Sequence, residues 1–205
     1  MWSYWLLFLV PAGLALSPLR FDKYINNILW FIVGLLGILL VGLRFEVGVD
    51  WGNYLNYLDL AKRYDLVETL QVGNANGSAY MLLNWVAVQL GLGIYVVNLF
   101  CSTLLMVGII KFCQKQPFPW LALAVAMPYL VAVVGMAYTR QAASLGLIFW
   151  GLSLLKVGNE RKYFGFVILA TLFHLSAIVN LLYMVLIRKK ILWQYYLFFG
   201  LLSVS

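Results

Sequence analysis

From Tyr24 to Leu43 the chain carries no charged side chain. Such a run can cross a bilayer, which needs about 20 apolar residues. Gly34, Gly37 and Gly42 within it let a neighbouring helix approach closely. Further apolar runs follow the same rhythm. Tyr4–Leu19 is short and contains Pro11 and Pro18; Tyr80–Cys113 is broken by Gly91-Leu-Gly93; Phe118–Val134 runs almost directly into one that opens at Tyr138 and ends near Lys156. Tyr163–Ile187 and Ile191–Val204 complete the series. The expectation is an all-α polytopic integral membrane bundle, a single transmembrane domain over residues 1–205 with about seven or eight membrane segments. The start lacks a basic stretch, so the first run reads as a retained helix rather than a cleaved leader. The last run stops abruptly at Ser205, and the expectation is a fragment or a truncated homologue.

Composition agrees. Hydrophobic residues make up 64% of the chain, charged residues 10%, and the mean hydropathy is +0.93. Soluble domains carry about 25% charged residues. The net charge of +7 does not point to nucleic acid, because the bases sit in short loops between apolar runs. There they act as topology signals facing anionic lipid. Cys101 and Cys113 are about 18 Å apart if their run is helical, too far for a disulfide. Neither belongs to a CxxC pair and His174 is distant in sequence, so no metal site is legible and no cofactor is implied.

Residues 44–79 form the one long polar stretch, with Glu46, Asp50, Asp59, Asp65 and Glu68 against Arg44, Lys62 and Arg63. Tyr54, Tyr57, Leu58, Ala61 and Tyr64 recur at helical spacing, which predicts a short amphipathic helix on the membrane surface. Gly73-Asn-Ala-Asn-Gly-Ser reads as a turn or mobile loop. The run from Tyr80 should hold a half-length helix to about Leu92 and a crossing from Ile94. The excess of Lys and Arg puts the loops at Arg20/Lys23, Lys111/Lys115 and Lys156/Arg161/Lys162 on the cytoplasmic side and the acidic loop outside. Arg140 then shares the outer side with Arg44 and Asp50. A straight crossing from Tyr163 would carry Arg188-Lys-Lys190 outside, so either that segment is re-entrant around His174 or the charge rule is violated.

Three short segments carry a resemblance. Arg44-Phe-Glu-Val-Gly-Val-Asp50-Trp-Gly-Asn-Tyr54, Tyr138-Thr-Arg140-Gln141-Ala-Ala-Ser-Leu-Gly146 and Ala170-Thr-Leu-Phe-His174-Leu-Ser-Ala177 resemble, in order, motifs of the EpsG-like, Wzy-type exopolysaccharide polymerases. One departure is Gly77-Ser-Ala79-Tyr80, which lacks the acid that members often carry before that aromatic. The resemblance implies a bacterial cytoplasmic-membrane, multi-pass glycosyltransferase that needs no metal. It would join oligosaccharide units carried on polyprenyl diphosphate, for exopolysaccharide, capsule or O-antigen. Other polysaccharide assembly proteins would be its partners. On this reading Arg44 and Arg140 bind the diphosphate, because a guanidinium stays charged and grips phosphate with a planar fork. Glu46, Tyr54 and Gln141 would line the substrate site, and Asp50 or His174 would be the base.

Each residue also has a plainer role open to it. Arg44 would serve as a snorkelling helix anchor, Asp50 as the N-cap of the Tyr54 helix, and His174 as a packed core residue. Arg140 has almost no loop around it, and membrane-buried charge is costly enough to imply a partner or a role. Two other functions fit the same polar residues. A flippase for lipid-linked sugars would need the cations without a base, and a membrane subunit of an assembly complex would need neither.

Overall fold

The computed structural model describes residues 2–18, 21–155 and 160–183. Among these residues every regular element is helical. Helix α1 (Trp2–Leu16) contains Pro11. Helix α2 (Lys23–Gly42) starts at Asp22, whose carboxylate accepts the Ile25 N–H at 2.8 Å and so satisfies one of the orphan donors of the first turn. One face of α2 buries Trp30, Val33, Gly34, Gly37 and Val41, while the other leaves Phe31, Ile32, Leu35 and Leu39 exposed. A helix that is apolar all round needs hydrocarbon or a core on every side. Helix α2 and helix α6 (Ile94–Cys113) are the two helices among the described residues that are long and apolar enough to cross a membrane. The other apolar runs within the described residues fall on shorter helices.

The amphipathic helix is present as α3 (Trp51–Arg63). It buries Tyr54, Leu58 and Ala61 and exposes Asp59, Lys62 and Arg63, as the spacing predicts. The stretch expected to be a turn or loop is mostly helix: α4 (Leu66–Asn76) runs through it. Asp65 caps α4 by accepting the Glu68 N–H at 2.8 Å. The break is confined to Gly77, whose φ of +95° is open to glycine and strained for other residues. Helix α5 (Ser78–Gln89) is the expected half-length helix, and Gly91, with φ +67°, turns the chain into α6.

Helix α6 is the axis of the fold. It packs antiparallel to α2, with Gly42 over Leu99, Gly37 over Met106 and Gly34 over Ile110. On its other side lies α8 (Thr139–Leu154). A Cβ on Gly108 would come within 1.8 Å of the Gly146 carbonyl oxygen, and one on Gly146 within 2.2 Å of the Leu104 carbonyl oxygen. The two backbones therefore touch where neither carries a side chain. Between them in sequence, α7 (Pro119–Ala126) widens into a π-helix over Met127–Gly135, where a uniform span was expected. Pro128, which has no N–H to give the ladder, stands near its start.

The segment from Tyr163 does not cross straight. Helix α9 (Arg161–Phe173) stops at His174, and a 3-10 turn over Leu175–Leu181 follows. The Tyr163 hydroxyl donates to the Asn180 carbonyl at 3.0 Å. In a continuous helix those two residues would stand roughly 26 Å apart. The chain therefore reverses at His174 and returns alongside α9. Arg188-Lys-Lys190 and the last apolar run lie outside the described residues.

The Gly108–Gly146 contact gives a direct test. Alanine at either position should destabilise the protein by roughly 1–3 kcal/mol or more through overpacking, since backbone rather than a flexible side chain must move. Alanine at Gly165, where an added Cβ meets nothing within 4 Å, should be tolerated. The fraction of detergent-solubilised protein still monodisperse after a heating series reads the difference.

Candidate functional site

Four chain segments meet at the end of the bundle where α2 stops. The loop after α2 brings Gly48, with φ +102°, onto the backbone of Met136 and Ala137. A Cβ there would lie 2.5 Å from the Met136 carbonyl oxygen. The start of α5 presses on the end of α9 in the same way: a Cβ on Gly77 would lie 2.3 Å from the Phe173 carbonyl oxygen. Two glycines thus close the gaps that gather residues 44–54, 77–80, 136–140 and 173–174. Glu46 also has a positive φ, 51°, so the loop holds a conformation uncommon for a residue with a side chain.

Arg44 is only 5% exposed, which excludes a snorkelling anchor. Its Nη1 donates to the Val41 carbonyl at 2.9 Å, and its Nη2 donates to the Thr139 hydroxyl. Its Nε is buried without an acceptor. No carboxylate pairs with it among the described residues. Burial lowers its pKa, yet a guanidinium stays charged. A charge taken from water without a counter-ion costs several kcal/mol. That is unusual for a residue that merely ends a helix.

Thr139 is 1% exposed and joins the two halves of the site. It accepts from Arg44, and the Tyr54 hydroxyl lies beside the Thr139 side chain and the Arg140 backbone. Burial, then the negative charge of Asp50, raises the Tyr54 pKa, so Tyr54 stays a neutral phenol. Arg140 is half-buried, and its guanidinium carbon sits 5.1 Å from the centre of the Tyr57 ring, within cation–π range. Tyr54, Tyr57 and Tyr80 form an aromatic wall, with ring centres 5.6 Å apart for Tyr54–Tyr80 and 6.1 Å for Tyr57–Tyr80.

His174 stands at the apex of the chain reversal. It is half-buried, and its Nδ1 lies 2.7 Å from the Ser176 hydroxyl. Burial, and then the charge of Arg140, lowers its pKa from 6.5, so the imidazole is neutral near pH 7.

The other expected site residues differ. Asp50 occupies the N-cap position of α3, but its side chain makes no capping bond; it accepts from the Asn53 amide at 3.2 Å. Glu46 is exposed and Gln141 half-buried, and no hydrogen bond among the described residues ties either to the cluster. Among the described residues no group of three or more His, Cys, Asp or Glu side chains gathers to hold a metal. Thr139, Tyr57 and Tyr80 are the members that the sequence expectation did not include. Thr139 is one small hydroxyl in an apolar region, and Tyr57 looked like interfacial packing.

Thr139→Val keeps the shape and removes the acceptor. It should strip Arg44 of a buried partner and cost roughly 1–3 kcal/mol of stability, while Thr139→Ser should retain most of it. Thermal denaturation of the two purified variants checks this.

The model of the EpsG family matches residues 27–205. No curated protein and no solved structure matches the chain. The matched stretch contains most of α2, all of α6 and every segment of the site, and the chain belongs to the EpsG family.

Proposed function

We propose that the chain is a multi-pass membrane polymerase of the bacterial cytoplasmic membrane. It would join oligosaccharide units carried on polyprenyl diphosphate into an exopolysaccharide, capsule or O-antigen. Membership of the EpsG family supports the exopolysaccharide setting. The observation that carries the reading is the pairing at one bundle end of Arg44, a buried cation with no counter-ion among the described residues, with the half-buried Arg140 beside it. A buried cation without a paired acid among the described residues, with a second cation beside it, suits an anion, and the diphosphate linker is the anion of such a substrate.

The two arginines have different tasks on this reading. Arg140 is the partly exposed one and would touch the diphosphate. Arg44, tied to Thr139 and Val41, would add its field from behind and hold the start of α8 in place. The acceptor sugar would lie against the half-buried Tyr57 ring, which the buried Tyr54 and Tyr80 back. In the tautomer whose Nδ1–H donates to Ser176, His174 keeps Nε2 free as a base. Nε2 takes the proton of the acceptor hydroxyl while its oxygen attacks the anomeric carbon. The bond from that carbon to the diphosphate oxygen breaks, and the diphosphate leaves with the electron pair. Arg140 stabilises the charge that develops there, which is where a preorganised cation acts most strongly. Asp50 is the second candidate for the base.

Polymer formation from purified lipid-linked units in proteoliposomes tests these roles. Arg140→Lys should lose nearly as much rate as Arg140→Ala, on the order of 10²–10³-fold, because lysine lacks the fork. A wild-type rate in the lysine variant would return Arg140 to an anchoring role.

His174→Gln should insert and bind lipid-linked substrate, yet lose about 10²–10⁴-fold in rate. A base must be unprotonated, and a lowered pKa keeps it so further into acid. The acid limb of the wild-type rate profile should therefore fall below pH 6.5 and vanish in the Gln variant. Full activity in His174→Gln would leave Asp50 as the base.

A further inference from the structure

A second feature lies at the opposite end of α2, about 26 Å from Arg44 by the rise of the helix from Asn27. A cleft of about 420 Å³ runs between α2 and α6. Its floor is apolar, formed by Gly34, Ile38 and Met106. The glycines hold the floor low: Gly34 and Gly37 of α2 lie directly against the Ile110 and Met106 side chains of α6. Its mouth is polar, formed by Asn27, Lys111 and Gln114. Lys111 is exposed and has no ion pair among the described residues. The Asn27 and Gln114 side-chain amides have no hydrogen-bond partner among the described residues either. The neighbouring helix ends carry Lys23 and Lys115 against Asp22, so the mouth is cationic.

Trp30 lines the cleft, and Trp120, outside it, backs the Trp30 ring. Trp30 stacks on Trp120 at 4.0 Å with the rings 13° from parallel, and the Trp120 indole N–H donates to the Asn26 side-chain oxygen at 3.1 Å. Tryptophan with a bonded N–H and an apolar ring suits the headgroup level of a bilayer. An apolar furrow along two membrane-length helices, ending in a cation, two free amides and a tryptophan rim, has the pattern of one lipid molecule.

We propose that this cleft holds a structural anionic phospholipid. One acyl chain would lie over Gly34 and Ile38, and the phosphate would sit between Lys111 and the amides of Asn27 and Gln114. The charge of the mouth favours an anionic over a zwitterionic headgroup. The lipid sits at the bundle end opposite the Arg44–Arg140 cluster, in the leaflet that the Lys and Arg distribution makes cytoplasmic.

Native mass spectrometry of the full chain in mild detergent, incubated with phosphatidylglycerol or with phosphatidylcholine of the same chains, tests this. The expected result is one retained phosphatidylglycerol per chain, favoured about five-fold over phosphatidylcholine. Lys111→Gln, a surface change that leaves the packing intact, should erase that preference, and Lys115→Gln, at a residue that does not line the cleft, should lower it less. Ile38→Trp, which fills the furrow, should lower retention of both lipids. Equal retention of the two lipids by the wild type would overturn the proposal. So would equal losses in the two lysine variants, which would mean diffuse attraction. Displacement by polyprenyl phosphate but not by phosphatidylglycerol would assign the cleft to a substrate tail and overturn it as well.

Discussion

Two helices can meet backbone to backbone only where neither carries a side chain, and Gly108 and Gly146 are such a place. That contact locks α8 against α6. With α2 laid antiparallel on the other side of α6 through Gly34, Gly37 and Gly42, the start of α8 comes to the end of α2. In hydrocarbon no hydrophobic force pulls helices together, so close packing of this kind has to hold them. The proximity of Thr139 to Arg44 follows from it.

From that axis the site is closed by two further glycines. Gly48 sets the loop after α2 on Met136, and Gly77 sets α5 on the end of α9. Neither position has room for a Cβ, and both have a φ that favours glycine. The charge distribution gives these tight contacts a purpose. Arg44 is desolvated with no counter-ion among the described residues, and hydrogen bonds to Thr139 and Val41 offset only part of that cost. On the proposed reading, an anionic substrate linker supplies the missing charge, and the free energy stored in the buried cation becomes binding energy for it.

Much of this was legible in the chain itself. The unbroken run Tyr24–Leu43 announces α2, the spacing of Tyr54, Leu58 and Ala61 announces the buried face of α3, and Gly91-Leu-Gly93 marks the turn between α5 and α6. The misses have identifiable causes. Asn and Gly in 73–78 suggest a turn where α4 continues to Asn76; the Asp65 bond to the Glu68 N–H is the local signal that favours the helix. The π-helix after Met127 has no hydrophobic period of its own to betray it. The reversal at His174 left only an indirect trace, the misplaced charge of Arg188-Lys-Lys190, because Tyr163 and Asn180 reveal their bond only in three dimensions. Arg44, Asp50, Arg140 and His174 stood out as charge or imidazole among apolar neighbours. Thr139 did not, since a single hydroxyl near an apolar helix carries no such contrast.

The central claim is that Arg44 and Arg140 together make a diphosphate site at the end of α2. A cryo-electron-microscopy structure of the full chain in a lipid nanodisc with a bound polyprenyl diphosphate tests it most directly. The account predicts phosphate density against the Arg140 guanidinium, with Arg44 directly behind it and the Tyr54–Tyr57–Tyr80 wall alongside. Phosphate density at the Lys111 end instead, or elsewhere away from both arginines, would contradict it.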